Sequence, residues 1–143
     1  MDQDIVRQKL ESLRRCVERV TQKCPADAAT LAADPDLQDI VTLNLSRAIQ
    51  LCVDVGAHLI ASMQVPAPAT MGQTFERLAH AGVLPAALAA RLQRAVGFRN
   101  IVIHNYEAID WQVVHALARA HLGDFAAFAR AVVEHLRCQG NSL

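Results

Sequence analysis

The sequence predicts an all-α protein, a helical bundle of about five or six helices, on three observations. Apolar residues make up 52% of the chain while aromatics make up only 4%. Ala and Leu dominate that apolar set, where strands would draw on Val, Ile, Thr and Tyr. Six Gly and five Pro are spread over 143 residues, which leaves room for long helices and little for many short strands. Apolar positions recur at steps of three and four residues, the spacing that turns one helix face to a core. A chain of this length buries a real core as one domain, expected over residues 1–143, and the composition excludes disorder.

The first helix is expected over residues 1–24. Val6, Leu10, Leu13, Val17, Val20 and Cys24 form a narrow seam, Lys9, Arg14, Arg15, Glu18 and Arg19 lie off it, and Pro25 ends it. The stretch from 25 to 33 reads as a loop. Asp34 is placed to cap the next helix and Pro35 suits a first helical position, so the second helix is expected over 34–63. Leu37, Val41, Leu45, Ala48, Cys52, Val55 and Leu59 make one stripe along it, and Ile40, Ile49, Gly56 and Ile60 an adjacent strip. A face that wide meets more than one neighbour, and in a small protein the extra neighbour is often another subunit. Asp54 and His58, four apart, share a flank of this helix.

"QVPAPAT" is a proline-bearing, extended connection. The remaining helices are expected within 70–138. Thr70 with Gln73 makes a capping-box pattern for a short helix to about His80, closed by Gly82. Pro85 opens another helix through Leu88, Leu92 and Val96. Asp110 then caps a last long helix carrying Val114, Leu117, Leu122, Phe125, Phe128, Val132 and Leu136, its middle softened at Gly123 by about 1 kcal/mol.

Fourteen basic and fourteen acidic side chains cancel, so no global field recruits nucleic acid. Locally, residues 71–106 hold four arginines against one glutamate, a net of +3, enough to hold a phosphate-bearing partner or simply to form a solvated helix face. Cys16, Cys24, Cys52 and Cys138 show no zinc spacing, and no pair of histidines forms an HExxH pattern. Neither a metal site nor another cofactor is expected. The N-terminus is polar, without a signal-peptide apolar run, and no segment reads as a membrane span. A reduced, cytoplasmic protein is expected.

One stretch stands apart: "GFRNIVIHNYEAID", Gly97 to Asp110. Ile101, Val102 and Ile103 read as anchors to the core, with Arg99, Asn100, His104, Asn105 and Tyr106 set closely around them. Arg99 offers a fixed, always-charged fork suited to phosphate. His104 can take or give a proton near neutral pH. Asn100 and Tyr106 can position a ligand, and Tyr106 can be modified. An arginine and a histidine are enough to cut RNA without metal: a base takes the ribose 2′-hydroxyl proton, that oxygen attacks the adjacent phosphate, and the cation offsets the growing charge. On an unbroken helix, however, Arg99 and His104 point about 140° apart. Either the helix ends or bends within the motif, or a second copy of the chain completes the site.

This stretch resembles the signature of the HEPN superfamily, an arginine and a histidine separated by four to six residues, and its histidine-x-tyrosine extension is similar to that of the HepT-like ribonuclease toxins. The likeness continues in "LNLSRAIQLCVDVGAHLIA", in "TFERLAHAGVLPAALAARLQRAVGFRN" and in "GDFAAFARAVVEHL", so that it covers most of residues 35 to 137. The resemblance implies a small all-α homodimer whose paired motifs form an RNA-cleaving cleft, with Arg99 and His104 catalytic and Asn100 and Tyr106 positioning substrate. It further implies a minimal nucleotidyltransferase antitoxin encoded nearby, with Tyr106 the residue that such a partner adenylylates. The alternative is a binding module that pairs with a nucleotidyltransferase and cuts nothing. Asp54 and His58 carry no role from the resemblance.

Overall fold

The computed structural model describes residues 2–141, all helix and connection with no strand among them. Seven α-helices follow one another: α1 (Gln3–Lys23), α2 (Ala28–Ala33), α3 (Pro35–Ala61), α4 (Met71–His80), α5 (Ala86–His104), α6 (Trp111–Ala120) and α7 (Gly123–Asn141), with a 3-10 turn at Tyr106–Ala108 between α5 and α6. Short polar side chains start most of them. Asp2, Asp27, Asp34, Thr70 and Asp110 each accept a backbone N–H from the first turn of the helix that follows, a contact worth about 1 kcal/mol apiece. Thr70 receives the Gln73 N–H at 3.2 Å, and the Gln73 amide oxygen answers by accepting from Ala69 N at 2.8 Å.

Two elements differ from the sequence reading and raise the helix count to seven. The supposed loop at 25–33 holds α2, whose cap is Asp27 and whose Leu31 is fully buried. The last long helix is two: α6 ends at Ala120, and α7 begins at Gly123, so the apolar face from Val114 to Leu136 is shared between segments that reorient at His121 and Leu122. Pro85 stands one residue before α5, in extended conformation, and not in its first turn.

α3 packs against all six other helices. Its apolar stripe and most of the neighbouring strip are taken up by those contacts, with Val41, Ala48, Cys52, Val55 and Leu59 completely inaccessible and Ile40 left partly exposed. By length and composition α3 is apolar enough to cross a membrane, contrary to the expectation from sequence, but 61% of the relevant window is buried inside the protein. It is the core helix of the bundle. Phe75 of α4 and Phe128 of α7 meet edge to face at 6.1 Å between ring centres, closing the core on one side; such a pair adds about 0.5–1.5 kcal/mol to the burial of its two rings. Cys16, Cys24 and Cys52 are free, buried thiols, and Cys138 is exposed.

α4 ends in a Schellman turn that only Gly82 suits. Gly82 adopts φ +82°, its N–H donates to Ala79 O at 3.1 Å, and the Val83 N–H reaches back to Leu78 O at 2.9 Å. A second glycine is needed for space. A Cβ added to Gly56 would fall 2.5 Å from Thr74 Cγ2 and 3.1 Å from Leu78 Cδ1, so α3 and α4 approach as closely as they do because position 56 has no side chain. Gly56→Ala is expected to lower stability by about 1–2 kcal/mol in denaturant unfolding, overpacking outweighing the better helix propensity of Ala. In a Thr74→Ser background, which removes the obstructing methyl, the same substitution is expected to become neutral or stabilising; an equal loss in both backgrounds would reject the steric explanation.

Candidate functional site

The motif occupies the end of α5. The helical hydrogen-bond pattern runs unbroken past Arg99 to the Asn105 N–H, which donates to Ile101 O at 2.8 Å. Asn105 then leaves the helix at φ −152° and ψ 62°, and the chain enters the 3-10 turn at Tyr106. The break therefore falls after His104. It cannot cancel the offset of about 140° between Arg99 and His104, but it does redirect Tyr106.

That redirection brings Tyr106 against α3. Its hydroxyl donates to Asp39 Oδ1 at 2.8 Å and lies 3.5 Å from Thr42 Oγ1. Its ring meets Trp111 edge to face at 5.9 Å between centres. Tyr106 and Arg99 thus wall one open groove of about 550 Å³ between α3 and α5, whose α3 side is formed by Asp39, Thr42, Ser46, Arg47 and Gln50. The Arg99 guanidinium has no carboxylate partner among the described residues; its polar contact there is a long one, 3.7 Å, to Met71 Sδ. Ser46 Oγ, on the same wall, is buried without a hydrogen-bond partner.

His104 and Asn100 are exposed and do not line this groove. Within the chain, then, the Arg99 guanidinium and the Tyr106 phenol converge while the His104 imidazole lies outside the groove. The three apolar residues between them are not core anchors. Ile101 and Ile103 are 44% and 50% exposed, and Leu43, across the groove on α3, is 56% exposed. The residues holding the end of α5 to the bundle are Val96, buried, and Phe98, half-buried.

The α3 wall is masked in the sequence by the apolar stripe that dominates that helix. Asp39, Thr42, Ser46 and Gln50 follow one another at steps of three, four and four, a polar line on one helix face. Asp54 accepts from Gln50 Nε2 at 2.8 Å and pairs with Lys9 of α1 at 3.8 Å; neither it nor His58 lines the groove. Of the arginines that made residues 71–106 basic, Arg91 is engaged by Asp124 at 3.0 Å, away from the motif. Arg47, from α3, supplies a second positive charge at the groove instead. Among the described residues no three His, Cys, Asp or Glu side chains gather as a metal site would require.

Partial burial pushes the Tyr106 phenol above its ordinary value; the Thr42 hydrogen bond opposes this, and the bond to Asp39 with its charge adds to the rise. At neutral pH the phenol is a donor, and it becomes a nucleophile only by giving up the proton it shares with Asp39.

An all-α bundle with an arginine, a histidine and a tyrosine at the exposed end of one helix defines a class, and comparison with known proteins places the chain within it. The model of the family described as ribonuclease HepT-like matches residues 4–132, and the chain belongs to that family. An mRNA nuclease HepT from Shewanella oneidensis is 32% identical over 125 residues, 87% of this chain and 93% of that protein. A solved structure of a tri-AMPylated HEPN toxin from Shewanella oneidensis in complex with an MNT antitoxin superposes with a TM-score of 0.87 at 30% identity, covering 94% of this chain and 99% of that one. A toxin–antitoxin crystal structure with AMP-PNP gives 0.85 at 30% identity, covering 92% and 99%.

Tyr106 is the one tyrosine of the chain, so tyrosinate absorbance reports it alone. The native midpoint is expected above the ordinary value of about 10, and Asp39→Asn is expected to bring it down. The folded protein keeps this proton longer than the unfolded chain does. The phenol's contribution to stability is therefore complete below about pH 10 and is lost as the pH rises through the folded value. A midpoint at or below about 10, unmoved by Asp39→Asn, would contradict the contact.

Proposed function

We propose that this protein is a homodimeric, metal-independent endoribonuclease, the toxin half of a toxin–antitoxin pair, acting in the cytoplasm. The observation that carries the reading is the placement of the motif: within a HepT-like fold, Arg99 lines an open groove without a carboxylate partner among the described residues, and His104 ends the same helix exposed to solvent.

Arg99 holds a phosphodiester of the substrate. His104 takes the proton from the neighbouring ribose 2′-hydroxyl, that oxygen bonds to phosphorus, and the bond to the 5′-oxygen of the next nucleotide breaks. The leaving oxygen takes up a proton, and the products end in a cyclic phosphate and a 5′-hydroxyl. Arg99 offsets the negative charge that builds on the non-bridging oxygens. Asn100 and Tyr106 position the strand.

The continuous helix between Arg99 and His104 is the reason for a second copy. With the two side chains about 140° apart, one subunit's arginine and the other's histidine meet where the two α5 ends face each other. Ile101 and Ile103, exposed beside the motif, supply apolar surface that such a contact buries.

A nucleotidyltransferase antitoxin silences the site by transferring AMP to Tyr106. The Tyr106 oxygen bonds to the α-phosphorus of ATP, pyrophosphate leaves, and the phenolic proton is released. Support comes from the adenylylated state and the MNT partner of the similar HEPN toxin, and from the position of Tyr106 beside Arg99. An esterified Tyr106 brings a phosphodiester anion into the groove, where it competes for the arginine and blocks the strand's path.

RNA cleavage is expected to persist in EDTA and to fall by about 10²–10⁴-fold in His104→Ala and in Arg99→Ala, with helical content and unfolding midpoint unchanged. Full cleavage by a well-folded His104→Ala protein would sink the mechanism. A chain that binds its nucleotidyltransferase yet cuts no RNA would be the binding module instead. Co-expression with the genomically neighbouring nucleotidyltransferase is expected to add mass in AMP units, and Tyr106→Phe to abolish the addition. An unmodified wild-type mass would leave inhibition to protein–protein contact alone.

A further inference from the structure

We propose that Arg15, Arg19 and Arg47 form a second phosphate-binding groove, continuous with the motif groove, that holds the single-stranded RNA on one side of the cut. The inference rests on the ribonuclease reading and extends it to a surface that the motif does not include.

Arg15 and Arg19 lie four apart on α1 and face the same way. With Arg47 of α3 they line a groove of about 560 Å³, together with Asn44 and Ser12, and no carboxylate lines it. The contrast with their neighbour is direct. Arg14 binds Glu11 at 2.8 Å and Glu18 at 2.6 Å, so the acidic residues of this part of α1 are already taken. Arg15, Arg19 and Arg47 have no ion pair among the described residues. Beneath them, burial pushes the Cys16 thiol up while Arg47 and Arg15 both oppose it, which places two of the cations beside one buried sulfur.

Three cations on a groove whose lining holds no carboxylate repel one another, and an anion bound among them relieves that repulsion. The chemistry that fits is a run of phosphates, because the groove does not stand alone. Leu43 and Arg47 line both it and the motif groove, so Arg47 sits on the ridge of α3 where the two surfaces join. From α5 across α3 to α1 is two helix spacings, about 16–20 Å. That is room for several nucleotides of an extended strand, with Arg99 at one end, Arg47 in the middle, and Arg19 and Arg15 at the other. Asp39 is the one acidic residue along this path, and Tyr106 already occupies it at 2.8 Å.

The test measures binding of a single-stranded RNA to the full chain carrying His104→Ala, by fluorescence anisotropy across a salt series. Arg15→Gln/Arg19→Gln is compared with Arg130→Gln/Arg137→Gln, which removes the same charge from α7. Each phosphate contact contributes about 0.7 to the slope of log K against log salt for a single strand. The α1 pair is therefore expected to flatten the slope by about 1.4 and to weaken binding at low salt about tenfold or more, while the α7 pair does neither. Indistinguishable effects of the two pairs would overturn the groove. RNA cleavage by the wild-type parent, which keeps His104, is measured alongside and separates the two failures. A parent that cuts RNA while the α1 pair has no special effect loses the groove alone, whereas a parent that neither cuts nor binds RNA loses both readings. If the α1 pair abolishes capture of the nucleotidyltransferase and leaves RNA binding intact, the surface belongs to that protein instead.

Discussion

Everything in this fold is arranged around the burial of α3. A helix touched by all six others has little circumference left for water, and what it turns to the two grooves is the row Asp39, Leu43, Arg47 and Gln50, with Thr42 and Ser46 buried beside it. The bundle thus decides where a ligand can lie before any motif residue is considered. α1 and α5 flank that exposed line from opposite sides, and both grooves are the spaces between α3 and its two flanking partners. The close approach at Gly56 belongs to the same economy of space: α4 is drawn tightly onto the far end of α3, and Met71 at the start of α4 comes within reach of Arg99.

The second organising feature is the point at which α5 stops. Had the helix ended before His104, the chain could have turned its histidine toward its own arginine. Ending one residue later, at Asn105, it fixes their divergence and spends the change of direction on Tyr106. A groove with a cation and a phenol, and a histidine presented elsewhere, is the geometry on which the proposed pairing of two copies rests.

The class of fold was legible because its signals are local and redundant. Asp34 before Pro35, Thr70 with Gln73, and Asp110 before Trp111 announce helix starts by backbone chemistry that depends on a few adjacent residues. Less legible were features that depend on the rest of the molecule. α2 is six residues long, too short for a period to show. The break between α6 and α7 lies inside an uninterrupted apolar pattern, and Gly123 reads there as a soft spot in a helix when it is the first residue of a new one. Ile101 and Ile103 look like core residues, since a sequence does not distinguish an apolar face turned to its own core from one turned outward. For the site, Arg99, His104 and Tyr106 were visible as an unusual density of polar groups, whereas Asp39 and Arg47 were hidden in a helix more than 50 residues earlier in the chain. Their part in the groove follows from the packing of α3 against α5, which no local pattern records.

The bond between Tyr106 and Asp39 also sets a condition on what the segment after α5 can be. A free phenol has a proton to give and a carboxylate to give it to; a phenol oxygen carrying a substituent has neither, and a negatively charged substituent would lie against a negatively charged neighbour. The latch between the 3-10 turn and α3 is therefore available to one chemical form of the residue alone. Any substituent at that oxygen removes this bond between the turn and the helix beneath it, so the covalent state of a single atom decides whether that wall of the groove keeps its tie to α3.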